Sequence, residues 1–178
     1  NWTNATGSAN DAWINGTNAI FAGTAGTVII GGGFDPSPSG IDFQTDGYEI
    51  TSVDPSFDQI KIDSNLTINT ATGVTATILA PITNPMAQQG NLKKTGDGTL
   101  IFSLNSKEYT GTTTVSAGTL LLNATMAGDI IVKSGATLGG SGSTVLGNAT
   151  IENGGILAPG NSLGSLTFDN DLTFNNAS

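Results

Sequence analysis

Apolar residues alternate with polar ones in short stretches along most of the chain. Examples are the pairs Ile60 and Ile62, Leu66 and Ile68, Leu100 and Phe102, Leu120 and Leu122, Ile130 and Val132, Leu166 and Phe168, and Leu172 and Phe174. A period of two is typical of β-strands. Many of the intervening residues are Thr, Ser, Asn, Lys or Asp. The pattern therefore predicts strands with one face in a narrow core and the other in water, with Thr113 and Lys133 pointing outward.

The second half of the chain repeats itself. Each of three units places a β-branched residue three positions before a glycine and a leucine soon after it: Val115, Gly118 and Leu120; Val132, Gly135 and Leu138; Ile151, Gly154 and Leu157. The units are 17 and 19 residues apart, which suits one coil of strands and turns but not a packed domain. Such units must stack, so the repeat predicts a solenoid of parallel strands whose glycines turn the corners. At roughly 20 residues per coil, we expect about 8 or 9 coils.

Three proline-containing segments depart from this rhythm, at residues 33–40, 53–59 and 81–91. Because proline lacks a backbone donor, we predict that these segments are loops leaving the solenoid and not interior strands. Each could be a simple connection, but loops on a rigid scaffold often carry recognition. The first two combine aromatic side chains with carboxylates, a mixture that interfaces use. The candidate binding residues are Phe34, Asp35, Asp54, Phe57 and Asp58.

Composition narrows the classes of partner. The 178 residues include 14 carboxylates, five lysines and no arginine, giving a net charge of −9. This charge opposes binding to nucleic acid or to anionic lipid. The chain has no cysteine, so stability must come from stacking and not from disulfides. No apolar stretch approaches the roughly 18 residues that span a bilayer, and no signal-peptide pattern opens the chain, so we expect a soluble, mature segment without membrane insertion.

Catalytic chemistry can be tested by elimination. Without His, Cys or Arg, the chain has no Ser-His-Asp triad, no cysteine nucleophile and no zinc cluster of the usual kind. Clustered carboxylates remain, and the pairs are Asp42 with Asp46, Asp54 with Asp58, and Asp169 with Asp171. Aspartate is, however, common in turns for structural reasons. The sequence therefore predicts no catalytic, cofactor or metal residue and leaves a polysaccharide-acting enzyme as an alternative.

Three other features receive structural interpretations. The glycine-rich tract of residues 139–144 has Thr144 where a calcium-binding nonapeptide needs an aspartate. Seven Asn-X-Ser/Thr sequences, which begin at Asn1, Asn4, Asn15, Asn65, Asn123, Asn148 and Asn176, are attributed to the abundance of these residues. Trp2 and Trp13 are expected to cover an open end of the core, with carbohydrate stacking as the alternative.

Part of the chain resembles a known family. The runs at residues 92–100, 109–115 and 117–120 resemble the passenger-associated transport repeat of bacterial type V autotransporters. The runs at residues 134–142 and 154–166 resemble the β-helical stalk that follows such repeats. The combined pattern covers residues 91–174, whereas the first half is similar to a passenger domain in plan only.

The resemblance implies an all-β fold, a single right-handed parallel β-helix over residues 1–178. It implies a passenger fragment exported across the outer membrane of a Gram-negative cell and displayed or released outside, with a β-barrel translocator elsewhere in the full-length protein. We expect an adhesin or secreted effector that binds a host-cell surface protein or glycan and has no enzymatic activity. The alternative is a structural stalk that assists export.

Overall fold

The computed structural model describes residues 2–3, 10–11, 13–85, 89–103, 108–160 and 164–175. Within these ranges the chain forms β-strands and no helix, so none suited to crossing a membrane is found there. In chain order the strands are β1 (Trp2–Thr3), β2 (Asn10–Asp11), β3 (Asn18–Phe21), β4 (Thr27–Ile30), β5 (Gly40–Phe43), β6 (Tyr48–Ser52), β7 (Ile60–Lys61), β8 (Asn65–Thr70), β9 (Thr75–Ile78), β10 (Ile82–Thr83), β11 (Asn91–Thr95), β12 (Thr99–Ser103), β13 (Thr113–Val115), β14 (Thr119–Asn123), β15 (Ile130–Val132), β16 (Thr137–Gly140), β17 (Ser143–Val145), β18 (Ala149–Ile151), β19 (Ile156–Pro159), β20 (Leu166–Phe168) and β21 (Leu172–Phe174).

Two long parallel sheets form the body of the molecule. Face 1 contains β3, β5, β8, β11, β13, β15, β18 and β21 in spatial order, and face 2 contains β4, β6, β9, β12, β14, β16 and β19. On a third side, β7 pairs with β10 and β17 pairs with β20, again in parallel. Upstream of these sheets, β1 and β2 pair with each other in the antiparallel direction. The fold is a parallel β-solenoid of about seven turns, which confirms the predicted class; its right-handed sense stays a prediction.

The register of the sheets confirms the repeat seen in the sequence. The apolar residues of the three units stack in register: Val115 on Val132 on Ile151, and Leu120 on Leu138 on Leu157. Turn length varies more than the repeat predicts, since Gly40 pairs with Thr67, 27 residues later. The prediction of about 8 or 9 coils was therefore too high, because the early turns carry longer segments on the third side.

The core is a narrow column filled from all sides of the solenoid. Five of the predicted apolar pairs are buried, from Ile60 and Ile62 through Ile130 and Val132. The pair in β20 is half-buried, and the pair in β21, the last strand of face 1, is exposed. Trp13 packs on this core and lines a small apolar cavity with Phe21, as expected of a residue that covers an end. The side chain of Trp2 lies outside the described residues.

One polar residue predicted to point outward lies in the core. Thr113 is fully buried on β13, and its hydroxyl hydrogen-bonds to the hydroxyl of Tyr109, which is also fully buried. The outward prediction for Thr113 was wrong because the two hydroxyls satisfy each other inside. Burial raises the pKa of Tyr109 well above its usual range. Lys133, by contrast, is partly exposed and pairs with Glu152 of the next turn at 2.5 Å.

The proline segments belong to the solenoid more closely than predicted. Residues 36–38 are buried on the third side, and the carbonyl of Pro36 accepts a hydrogen bond from the Lys61 amide at 2.9 Å. Residues 82–83, within the third segment, form β10. The prediction that these segments all leave the solenoid was therefore wrong in part, because proline loses its donor but keeps its carbonyl acceptor.

Asparagine and aspartate side chains join one turn to the next at the corners. In each case an Oδ1 atom accepts a hydrogen bond from a backbone amide of the following turn: Asn15 from Ser37, Asp35 from Gln59, Asp46 from Thr75, Asn84 from Thr110, Asn91 from Thr112, Asn123 from Ser141 and Asp129 from Asn148. These amides lie where the backbone bends, so side chains satisfy them there. The abundance of Asn and Asp in this sequence therefore has a structural cause.

Glycines occupy the corners in two ways. The three predicted corner glycines have left-handed φ values, +62° at Gly118, +79° at Gly135 and +80° at Gly154. A second set, here called the glycine ladder, lies just before the strands of face 1 and consists of Gly90, Gly111, Gly128 and Gly147. Its members are packed so closely that a Cβ on Gly111 would lie 2.2 Å from the carbonyl oxygen of Gly90.

Replacing Gly135 with valine should destabilise the protein through backbone conformation alone. A Cβ at this position would meet no atom within 4 Å, so the cost comes from a β-branched residue at positive φ, about 1–3 kcal/mol. The matched change Lys133→Ala on the same turn should stay within about 0.5 kcal/mol. Chemical denaturation of both variants measures this difference, and equal midpoints would show that the corner tolerates a side chain.

Candidate functional site

The two loops predicted to carry recognition lie on neighbouring turns. Residues 33–39 follow β4 and residues 53–59 follow β6, so both connect face 2 to the third side. Because β4 and β6 pair in register, the loops begin next to each other. The structure therefore brings the five candidate residues into one region of the surface.

Asp58 ties the two loops together. Its side chain is 1% exposed, and its two carboxylate oxygens accept hydrogen bonds from the amides of Gly33, at 2.7 Å, and Asp54, at 2.9 Å. Asp58 thus anchors one loop to the other and is not available to touch a partner. A buried carboxylate with two backbone donors is satisfied, so its role in this structure is positioning.

Two other candidate carboxylates also support the backbone. Asp35 accepts the Gln59 amide at 2.9 Å and forms an ion pair with Lys61 at 3.6 Å. Asp54 is exposed and accepts the amide of Ser56 at 2.9 Å, a local turn of the kind that aspartate favours. Both keep further acceptor positions, since a carboxylate offers about four.

The aromatic candidates point away from the core. Phe57 is 68% exposed and Phe34 is 42% exposed. Val53, 70% exposed, and Ile29, 62% exposed, share the outer side of face 2 with them, because Val53 lies against Gly31 on the neighbouring turn. We call these four residues (Ile29, Phe34, Val53 and Phe57) the apolar corner. Side chains of this size exposed together mark interaction surfaces more often than isolated ones do.

The other aspartate pairs also have structural partners. Asp42 accepts hydrogen bonds from the side-chain amides of Asn69, at 2.6 Å, and Gln44, at 2.7 Å, and Asp46 accepts the Thr75 amide. Asp169 and Asp171 lie on an exposed bend before β21. In the part of the chain that the structure describes, no group of three or more potential metal ligands is found.

The residue that sequence reasoning missed is Lys94. Lysines were taken as outward residues between the apolar positions, but Lys94 points inward on β11 and is 0% exposed. Its ammonium donates hydrogen bonds to the carbonyl oxygens of Thr95 (2.8 Å), Gly96 (2.7 Å) and Ala117 (3.2 Å). Burial lowers the pKa of Lys94 from 10.5 to about 8, with Asp97 opposing the shift. The alternation itself was the available signal, since Lys94 has the same parity as Leu92.

Comparison with known families places this buried lysine in a defined repeat. The model of the passenger-associated transport repeat matches residues 92–122. The match spans most of β11 to β14 and contains Lys94, Tyr109, Thr113 and Gly118. The repeat is thus two neighbouring turns joined by the Lys94 contacts.

Two curated proteins are similar over longer stretches. The "Extracellular serine protease" of Serratia marcescens is 34% identical over 95 residues, which are 53% of this chain and 9% of that protein. The "Adhesin BmaC autotransporter" of Brucella suis biovar 1 (strain 1330) is 30% identical over 119 residues, 65% of this chain and 3% of that protein. The chain thus spans a small part of the length of these relatives. No solved structure matches it at a significant level.

The fold, the matched repeat and the relatives agree with one another. A parallel β-solenoid carries the repeat in its centre, and both relatives match at about a third identity. The predicted resemblance and the extracellular location, reached by export across the outer membrane, are confirmed. The chain belongs to the β-helical passenger domains of type V autotransporters.

Proposed function

We propose that this chain is an adhesive segment of its passenger, which binds a host-cell surface protein or glycan through the apolar corner and performs no chemistry. The observation that supports this most strongly is the exposure of the four side chains of the apolar corner on two loops that Asp58 holds rigidly together. One relative is named as an adhesin. The activity of the full-length protein is part of the same proposal.

The energetics favour this corner as a contact surface. Burying one Val, Ile or Phe side chain contributes about 1.5–3 kcal/mol, and clusters of such anchors dominate interfaces. Because both loops are already fixed by hydrogen bonds to Asp58 and Asp35, little ordering entropy is lost on binding. Rigid loops with exposed aromatic residues suit recognition better than simple connection.

The absence of chemistry is supported by the use of the carboxylates. Asp42, Asp46 and Asp58 accept hydrogen bonds that hold the fold, and Asp54 completes a local turn. Glycoside cleavage needs two carboxyl groups free to face a substrate. The polysaccharide-acting alternative therefore has no structural observation in its favour.

A second candidate, the stalk that assists export, is supported by a different region. Among the described residues between Asp58 and Val145 no large apolar side chain is exposed, and this stretch contains the transport repeat. Here the turns are short and the surface is uniformly polar. A segment of this kind is suited to spacing and to stability, so one chain could combine a stalk with an adhesive end.

Attachment of the purified 178-residue chain to host cells tests the proposal. The double variant Phe34→Ser/Phe57→Ser should lose about tenfold or more in apparent affinity, because each 1.4 kcal/mol of lost burial is a factor of ten. Ile156→Ser is the matched control, since Ile156 is 50% exposed on β19, at the opposite end of face 2. Both variants should melt like the parent chain.

Two outcomes would contradict the adhesive role. Equal attachment by the parent and the double variant would remove the apolar corner from binding. No attachment by the parent chain at all would leave the stalk as the better account.

A further inference from the structure

The charges of this protein are distributed unevenly along the solenoid. Residues 13–63 contain seven of the 14 carboxylates but one of the five lysines, whereas residues 64–178 contain six carboxylates and four lysines. The early turns are therefore strongly acidic, and the later turns are close to neutral. A surface potential of this kind attracts cationic groups and raises their rate of association.

The acidic turns are the same turns that carry the apolar corner. Asp35, Asp54 and Asp58 lie within its two loops, Asp63 follows β7, and the cation among them is Lys61. Three of these carboxylates are held by backbone or hydroxyl donors on neighbouring residues, Asp63 by the hydroxyl of Ser37. Fixed negative charge therefore borders an exposed apolar surface.

We infer that the partner of the apolar corner is a polypeptide segment that carries apolar side chains flanked by lysine or arginine. This inference rests on the proposed function and names the chemistry of the partner. Apolar side chains would cover Phe34, Val53 and Phe57, while a cation would bind the exposed Asp54 carboxylate. Complementary charge around an apolar centre gives an interface both specificity and rapid association.

The same charges disfavour the other main surface molecules of host cells. Sulfated glycans and phospholipid headgroups are anionic, so the acidic turns repel them. An arginine fork fits a carboxylate with two parallel hydrogen bonds, and Asp54 keeps acceptor positions beyond the one used by Ser56. Charge and shape together favour a basic polypeptide over a glycan.

Peptide binding measured by fluorescence anisotropy tests this inference directly. The probes are a labelled peptide of alternating lysine and leucine, a counterpart with glutamate in place of lysine, and a counterpart with serine in place of leucine. The parent chain should bind the first peptide in preference to the other two, and binding should weaken as salt rises, since exposed charges are screened beyond about 8 Å at physiological ionic strength.

Two variants separate the charge from the apolar contact. Asp54→Asn keeps an oxygen for the Ser56 amide but removes the charge, so it should weaken binding of the lysine–leucine peptide by about 2–5-fold. Phe57→Ser should weaken it further, whereas Asp169→Asn, an exposed aspartate beyond the stalk region, should leave it unchanged. Equal binding of all three peptides, or none, would overturn the inference.

Enzymatic treatment of the cells distinguishes this inference from the proposed function. If attachment depends on Phe34 and Phe57 and is lost after the cells are treated with trypsin, both stand. If it is lost after glycosidase treatment but survives trypsin, the partner is a glycan, and the inference fails while the adhesive role stands. If the parent chain never attaches, the proposed function fails, and the peptide measurements decide the inference alone.

Discussion

Replacing Gly128 with alanine should lower the stability of the solenoid more than any exposed substitution. A Cβ at this position would lie 2.0 Å from the carbonyl oxygen of Gly111 and 3.1 Å from that of Tyr109. Both obstacles are backbone atoms of the preceding turn, so relief requires two paired turns to separate. Overpacking usually costs about 1–3 kcal/mol, and with a backbone obstacle we expect the upper end or more. The melting temperature should fall by roughly 6–12 °C.

Gly26→Ala is the matched control for this prediction. Gly26 also lies outside the left-handed region of φ, and a Cβ added there meets nothing within 4 Å. The two substitutions add the same methyl group and differ in the space around it. Similar melting of both variants would mean that the turns near Gly128 are less closely stacked than the structure has them.

Replacing Lys94 with methionine should destabilise the transport repeat at neutral pH. Methionine fills a similar volume but leaves the carbonyl oxygens of Thr95, Gly96 and Ala117 without the donor that now joins them. Leaving buried acceptors unpaired costs about 1–3 kcal/mol. The cost of burying the ammonium charge partly offsets this loss, and the three contacts decide the sign. Denaturant unfolding at pH 7 measures the difference.

The pH dependence gives an independent signature of Lys94. Its pKa falls from 10.5 to about 8 on folding, so between these values the unfolded chain binds more protons than the folded one. Stability contributed by this group therefore rises with pH across that window. The stability advantage of the parent over Lys94→Met should grow from pH 8 to pH 10. The raised pKa of Tyr109 affects both chains alike.

Lys93→Met provides the control, because Lys93 is the exposed neighbour on the same strand. It removes the same charge and should change stability by no more than about 0.5 kcal/mol, with no growing difference above pH 8. If Lys93→Met and Lys94→Met behave alike, the ammonium of Lys94 does not cap the corner.

The sequence was most informative where local pattern and stacking coincide. The spacing of Val115, Val132 and Ile151 predicted the register of face 1, because residues that repeat at one coil length must lie on each other. The glycines at the corners were predictable for the same reason, since a backbone that turns at each repeat favours the same residue each time.

The sequence was less informative where a polar side chain lies inside. Thr113 and Lys94 were taken as outward residues because polar residues usually face water. Each is buried beside a specific partner, a hydroxyl or a set of carbonyls, that lies far along the chain or at a corner. Such pairings depend on the three-dimensional stack and leave no trace in local hydropathy.

The candidate site shows the same division. Sequence composition drew attention to Phe34, Asp35, Asp54, Phe57 and Asp58, and the structure brings their loops together. It could not separate the anchoring role of Asp58 from the exposure of Phe57, because both follow from hydrogen bonds between turns 25 residues apart. Whether these residues bind a partner stays a prediction.

The unequal turn lengths have a consequence for how such a surface can change. Register on face 1 is kept whether 17 residues separate successive strands, as from Thr113 to Ile130, or 27, as from Gly40 to Thr67. The extra residues are taken up outside the two long sheets. Closing a loop twice as long costs only about 0.6 kcal/mol more. Insertions after β4 or β6 can therefore be varied almost freely, so new binding specificities can arise there while the stack beneath is unaltered.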